Sequence, residues 1–507
     1  MQFVFLSYLC SRNEQVICNS MKKHYFLLGW IAVVVMAVGM LVGCNSAPEP
    51  VDPEEDLNKE TELDVDNTKA RSDNNRVIYE MNLYNFTSEG TLKAAEAKLV
   101  DLRRLGVDIV WLMPIQTRST EGKIGSLGSP YALRNYTEVN PQHGTLDDLK
   151  SFVDKAHTLR MEVWLDWVPN HTGLDHVWVT DHPSYYKKQD GKMVHPNNYA
   201  DVYQLDYTNM ELRAAMREAM IYWVKEANVD GFRCDYVSSP DLPADFWSDA
   251  IPKIQEAAGR KIWMLGESDF QPEKPALLTA GFDYDYTVGY HYRLKANVGK
   301  SESAAKLKTQ CRLLVTNSSY ANMDRMVYLT NHDDIGDNTN YFGHFGANVA
   351  PLTVVEFTLY GMPLLYNGQE IGYRKVQDYF NRDVINWSSP NAQLQNTIRT
   401  LVALRHLEPA LGSGTKADRP TTTFLDCSNS AFMAYKKEKD NNLVLVVVSL
   451  AADSATCEIK GIDEGIYMQW LNSETIAEKV SKKKVKLTAT TKLWLPKKGY
   501  AVFVKLD

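Results

Sequence analysis

The stretch Val229-Asp230-Gly231-Phe232-Arg233-Cys234-Asp235 decides how the rest of the chain is read. It has the look of a short buried strand whose far end delivers an arginine and an aspartate to one side. Side chains two apart on a strand share a face. Arg233 and Asp235 therefore point together, and Cys234 points away. An isolated Arg-x-Asp is more often a structural ion pair than a reactive site, because ion-pair networks also perturb ionisation. Its neighbours along the chain settle the question.

Working outward, apolar strands alternate with amphipathic helices from Arg76 onward. Strands are predicted at residues 77–83, 107–112, 161–166, 229–235, 261–267, 282–286, 326–332 and 362–367. Helices are predicted at residues 91–105, 350–360 and 391–411, from Asn209 with Leu212, Met216, Ala219 and Trp223 on one face, and after Thr145, where Thr145-x-x-Asp148 has the form of a capping box. Eight strand–helix units over roughly 330 residues predict an α/β fold, a (β/α)8 barrel over residues 76–412. A short, aromatic-rich insert, residues 170–207, follows its third strand. Past Gly412 the pattern turns to short strands separated by turns, which predicts a C-terminal antiparallel β-sandwich over residues 413–507.

The N-terminus is read as targeting. Lys22 and Lys23 precede an apolar run that ends in Leu41-Val42-Gly43-Cys44, so residues 1–43 read as upstream residues plus a secretory signal. Met21 is the expected start. The Leu-x-Gly-Cys ending resembles a bacterial lipobox, which implies lipidation of Cys44. Residues 44–75 are acidic, Pro-rich and poor in large apolar side chains, and read as a disordered tether. A chain of that length reaches roughly 30 Å. The expected location is the cell envelope, lipid-anchored, at the outer membrane.

Composition narrows the partners. At 507 residues the chain can hold a large catalytic domain and a smaller one. A net charge of −8 argues against nucleic acid. The 27 Tyr and 11 Trp suit stacking on sugars as well as core packing. Of the seven cysteines, Cys234, Cys311, Cys427 and Cys457 fall in the folded part and show no metal-site spacing. A Cys427–Cys457 disulfide is an open expectation.

The strand ends carry the chemistry, since barrels of this kind place their sites at the carboxyl ends of the strands. The third strand ends in Asp166-Trp167-Val168-Pro169-Asn170-His171, the fourth in Arg233-Cys234-Asp235, the fifth in Gly266-Glu267-Ser268, and the seventh in Asn331-His332-Asp333-Asp334. Burying so many acids is costly unless function requires them.

These four stretches, in this order, resemble the signature regions of the alpha-amylase family of glycoside hydrolases, family 13. The resemblance implies a retaining enzyme acting on α-linked glucans, endo-type on α-1,4 bonds. Alternatives within the family are an oligosaccharide α-glucosidase, a neopullulanase or cyclomaltodextrinase, and a transglycosylase; outside enzymology, a lipid-anchored glucan-binding protein. Asp235 matches the family's nucleophile, Glu267 its general acid/base and Asp333 its third carboxylate. Tyr131, His171 and His332 match substrate contacts, and Arg233 stands beside the nucleophile. Asp166 is expected to orient Arg233. Retaining chemistry needs one carboxylate ionised and one protonated, so Arg233 is expected to keep Asp235 ionised and burial to raise Glu267. No cofactor is required. Many family members place Lys-His where this chain has Ser238-Ser239, and that histidine serves a structural calcium. Asn170 matches another ligand of that calcium and Asp206 is expected to sit near it, so calcium binding stays open.

Overall fold

The computed structural model describes residues 61–62, 73–268, 275–317, 322–473 and 481–506. The signal segment, Cys44 and most of the expected tether lie outside the described residues. Among the described residues no helix is long and apolar enough to cross a membrane.

Eight parallel strands close into a barrel: β1 Ile78–Met81, β2 Ile109–Leu112, β3 Glu162–Trp167, β4 Gly231–Cys234, β5 Trp263–Gly266, β6 Tyr284–Asp285, β7 Asp324–Val327 and β8 Met362–Tyr366. β8 returns to pair with β1, with Leu364 opposite Ile78. Alternation along each strand separates two cores. Ile78, Trp111, Trp164, Leu265, Met326 and Leu364 face inward and fill the barrel. Tyr79, Val110, Leu165, Phe232, Met264 and Leu365 face outward under the helices. Gly231 is required in β4, since a Cβ there would lie 2.9 Å from the indole of Trp164 and 2.8 Å from the carbonyl of Trp263.

The helices begin where the sequence says. Leu146–Thr158 has the full capping box, with Thr145 accepting from the Asp148 amide and Asp148 from the Thr145 amide. Met210–Ala227 is capped by Asn209. The helix expected over residues 91–105 is two, Leu92–Glu96 and Leu99–Leu105. The seventh strand is shorter than its apolar run. It ends at Val327, because the Leu329 amide leaves the ladder and donates to the buried carboxylate of Glu356 at 3.1 Å.

Beyond residue 412 six strands of a seven-stranded sheet and a three-stranded sheet form the sandwich. They enclose a small core of Ala434, Leu445, Val447, Cys457, Tyr467 and Phe503. The other face of the larger sheet, with Met433, Tyr435, Val446 and Val502, belongs to the same core as the barrel's helical layer. Cys427 and Cys457 are free thiols on neighbouring strands, so the expected disulfide is not formed. The expectation of disorder over residues 44–75 also needs correction where the structure describes them. Thr61–Glu62 pairs antiparallel with Ser481 and Lys482 at the edge of the larger sheet. Asp73–Asn75 is a 3-10 turn whose Asn75 side chain donates to the carbonyls of Arg405 and Glu408. Both segments are held by unpaired backbone groups of the folded domain, a source of order that composition does not reveal.

Candidate active site

The carboxyl ends of the strands open into a cleft of about 640 Å³ lined by Tyr131, His171, Asp235, Glu267, His332 and Asp333. Its floor is set by strand register. Asp166 on β3 lies directly opposite Arg233 on β4, both inward. Asp235 follows β4 at once, and its amide is tied to the carbonyl of Trp167 at 2.8 Å.

Arg233 is fully buried and meets three carboxylates. Nη1 donates to Asp166 Oδ1 at 3.0 Å and to Asp235 Oδ1 at 3.1 Å. Nη2 faces Glu267 Oε2 at 3.1 Å as an ion pair. Trp111 and Tyr286 flank the guanidinium, with ring centroids 5.1 and 5.2 Å from its carbon. Arginine suits this place because its rigid planar fork addresses several oxygens at once. Asp166 is completely engaged, since its Oδ2 also accepts from the Trp111 indole at 3.2 Å and the Tyr131 hydroxyl at 3.0 Å. It orients Arg233 and has nothing left for a substrate.

One guanidinium cannot neutralise three acids. Burial, and then the neighbouring Glu267, push the Asp235 carboxyl well above the usual aspartate range against the pull of Arg233. Arg233 does pull the Asp235 carboxyl toward its ionised form, as expected, but burial and Glu267 act against it. The charge of Arg233 is shared among the three carboxylates it meets. Glu267 is oriented from the other side. Its Oε2 accepts from the Tyr236 amide at 2.9 Å. Tyr236 adopts a left-handed backbone, φ +42°, immediately after Asp235. Such strain in a non-glycine residue clusters at functional sites, and here the strained residue is the one whose N–H meets Glu267.

A second chain of bonds comes from the seventh and first strands. His332 starts the 3-10 turn His332–Asp337. Its Nδ1 bonds to Glu80 Oε1 and its Nε2 lies 2.7 Å from the Tyr131 hydroxyl. Tyr131 stacks on His332 with centroids 5.2 Å apart. Burial opposes a charge on His332, but Asp333 and then Glu80 outweigh it and hold the imidazole up at about 9. A doubly protonated ring then donates from both nitrogens, so Tyr131 accepts from His332 and donates to Asp166. Asp333 is half exposed, 3.4 Å from His332 Nε2, and is the most open of the carboxylates. His171 behaves oppositely: burial drives it down to about 4, so it stays neutral at the cleft wall.

The structure thus brings Tyr131, Asp166, Arg233, Asp235, Glu267, His332 and Asp333 into one connected group, with His171 on the same cleft. Sequence reading missed Glu80, the fully buried acid at the inward end of β1. Its signal was an acid inside an otherwise apolar strand, at the carboxyl end where the other acids stand. The two calcium candidates do not form a cation nest. Asn170 Oδ1 and carbonyl accept from Gln204 Nε2 at 3.1 and 2.8 Å, and the same nitrogen reaches the Leu205 carbonyl at 3.2 Å. An amide already stands among these oxygens. Asp206 Oδ1 is spent on the amide and hydroxyl of Thr208, at 3.0 and 2.6 Å.

A parallel barrel that gathers paired carboxyls at its carboxyl end has the layout of a glycoside hydrolase. The profile of the family described as "Alpha amylase, catalytic domain" matches residues 64–204 and 186–419. The chain belongs to this alpha-amylase family, glycoside hydrolase family 13. Alpha-amylase MalA of Haloarcula japonica is 25% identical over 405 residues, covering 77% of this chain and 57% of that protein. An alpha-1,4-glucan:maltose-1-phosphate maltosyltransferase of Rhodospirillum rubrum is 26% identical over 393 residues, covering 71% of this chain and 54% of that protein. The chain spans just over half the length of these two relatives. Among solved structures, a noncanonic maltogenic alpha-amylase, AmyB of Thermotoga neapolitana, superposes with a TM-score of 0.73 at 27% identity, over 86% of this chain and 99% of that one.

Proposed function

We propose that the chain is a retaining hydrolase of α-1,4-glucosidic bonds in starch or maltodextrins, of endo type. The observation that carries the reading is the contact of Arg233 with both Asp235 and Glu267 at the base of an open cleft. In the first step Glu267 gives its proton to the glycosidic oxygen while an Asp235 oxygen attacks the anomeric carbon. The glycosidic bond breaks and an aspartyl ester forms. In the second step Glu267 takes a proton from water, which attacks the same carbon and releases Asp235 as a carboxylate. Asp333 and the charged His332 hold sugar hydroxyls at the cleavage site, His171 adds a neutral hydrogen-bonding group, and Tyr131 presents its ring to the same sugar.

The cleft, at about 640 Å³, has room for more than one sugar ring. No calcium is needed, because the Gln204 amide supplies the positive end that Asn170 and Leu205 face. We also propose export and lipidation at Cys44, which place the enzyme at the cell envelope.

A second reading, glycosyl transfer to a sugar acceptor, is favoured by the resemblance to a maltosyltransferase. Both readings share the aspartyl ester and differ in what releases it. Proton NMR of the first-formed product tests the retaining step: the α anomer is expected, and a β product overturns it. A product profile on starch, pullulan, cyclodextrin and isomaltose separates hydrolysis from transfer and fixes the bond.

A further inference from the structure

We propose that Asp334, Asp337 and His344 form a binding site for a divalent transition-metal ion of the zinc class, behind the turn that carries Asp333. Asp334 and Asp337 lie on the 3-10 turn His332–Asp337, and His344 on the short helix Tyr341–Phe345 that follows. One ligand atom from each falls within 4.8 Å of the other two. His344 Nε2 is 3.3 Å from Asp337 Oδ2 and 3.7 Å from Asp334 Oδ1. Zinc bonds of about 2.0–2.2 Å at tetrahedral angles require ligand atoms about 3.3–3.6 Å apart. The His344–Asp337 edge already has that size, and the His344–Asp334 edge is slightly longer.

A separate observation points to an ion. Asp334 is 5% exposed, and its Oδ1, the oxygen nearest His344, is buried with no hydrogen-bond partner. Its other oxygen is fixed by the hydroxyl of Thr330, which turns Oδ1 toward the cluster as an outer partner orients a metal ligand. His344 Nε2 likewise lacks a hydrogen bond. Asp337 is exposed and gives an ion its way in from solvent. An imidazole nitrogen with two carboxylate oxygens and room for water selects zinc over calcium, which needs six to eight oxygens.

One cation already stands here. Lys295 Nζ lies 2.6 Å from Asp337 Oδ2 and competes with the metal. It has a second seat, since the same ammonium is 4.7 Å from the ring centroid of Tyr292. Metal entry shifts Lys295 from Asp337 toward that ring, whose π-electrons face its charge. The lysine makes the site one that fills and empties with metal supply. When filled, it ties the turn bearing Asp333 to the Tyr341–Phe345 helix.

The test is isothermal titration of chelator-stripped protein with zinc chloride, with cobalt(II) as a spectroscopic substitute. One equivalent should bind, with the intense visible absorption of a four-coordinate cobalt ion. His344→Ala should weaken binding at least tenfold, and Lys295→Met should strengthen it. Should His344→Ala fail to fold, Asp337→Asn at its exposed position serves instead. Absence of zinc binding by the wild type, or equal affinity in the wild type and the ligand variants, overturns the proposal. So does unchanged affinity in Lys295→Met.

Discussion

Glu80→Gln changes one buried charge and almost nothing else. The amide keeps the shape of the side chain and an oxygen for His332 Nδ1, which Glu80 now holds. His332 stands at about 9 although burial pulls it down, because Asp333 and Glu80 pull it up. The rise from 6.5 to about 9 corresponds to about 3 kcal/mol between the charged and neutral rings. A hydrogen bond to a charged partner is worth about 1.5–3 kcal/mol, so losing the Glu80 charge should bring His332 down to about 7–8. A group whose pKa is raised by folding adds stability that is full below its unfolded value and is lost as pH climbs through its folded value. For the wild type that loss runs from about 6.5 to about 9. In Glu80→Gln it should be complete by about pH 8, and the alkaline limb of kcat/KM should move down with it. NMR titration of the His332 ring and the pH profile on a maltooligosaccharide measure both. A ring that still titrates near 9 in Glu80→Gln, or an alkaline limb that does not move, refutes the coupling of Glu80 to His332.

Three further perturbations probe the same framework. Arg233→Met strands Asp166, Asp235 and Glu267 and should cost about 3–5 kcal/mol in urea unfolding; wild-type stability would show that the acids do not depend on it. Glu267→Gln should lower kcat about 10²–10⁴-fold while calorimetry still detects maltooligosaccharide binding, and near-normal turnover removes Glu267 from acid/base duty. Gln204→Ala should lose about 1–3 kcal/mol by unpairing buried carbonyls, and calcium added to chelator-stripped wild type should leave its Tm unchanged; a rise in Tm with calcium would contradict the role given to Gln204.

What could be read in advance follows from local rules. The period of two along β4 put Arg233 and Asp235 on one face, and the register of β3 and β4 then set Asp166 against Arg233. Thr145, Asp148 and Asn209 announced their helix starts because capping is a contact between near neighbours in sequence. The misses are cases where a distant group decides. Tyr328 and Leu329 continue the apolar run of β7 and are buried, yet Glu356, far along the chain, draws the Leu329 amide off the ladder. Glu80 looks in sequence like one polar position on a strand, and its meaning comes from His332, 252 residues later. The opposing pushes on the Asp235 carboxyl have a similar origin, since three carboxylates from three strands divide the charge of Arg233.

The central claim is that Asp235 forms a covalent bond to sugar while Glu267 handles the proton. A slowly turned-over fluorinated α-glucosyl donor, followed by peptide mass mapping of the intact protein's digest, tests it directly. The account predicts one glycosyl adduct on the peptide containing Asp235, lost in Asp235→Asn. An adduct on another residue, or turnover of the donor with no adduct and a β product, would contradict it.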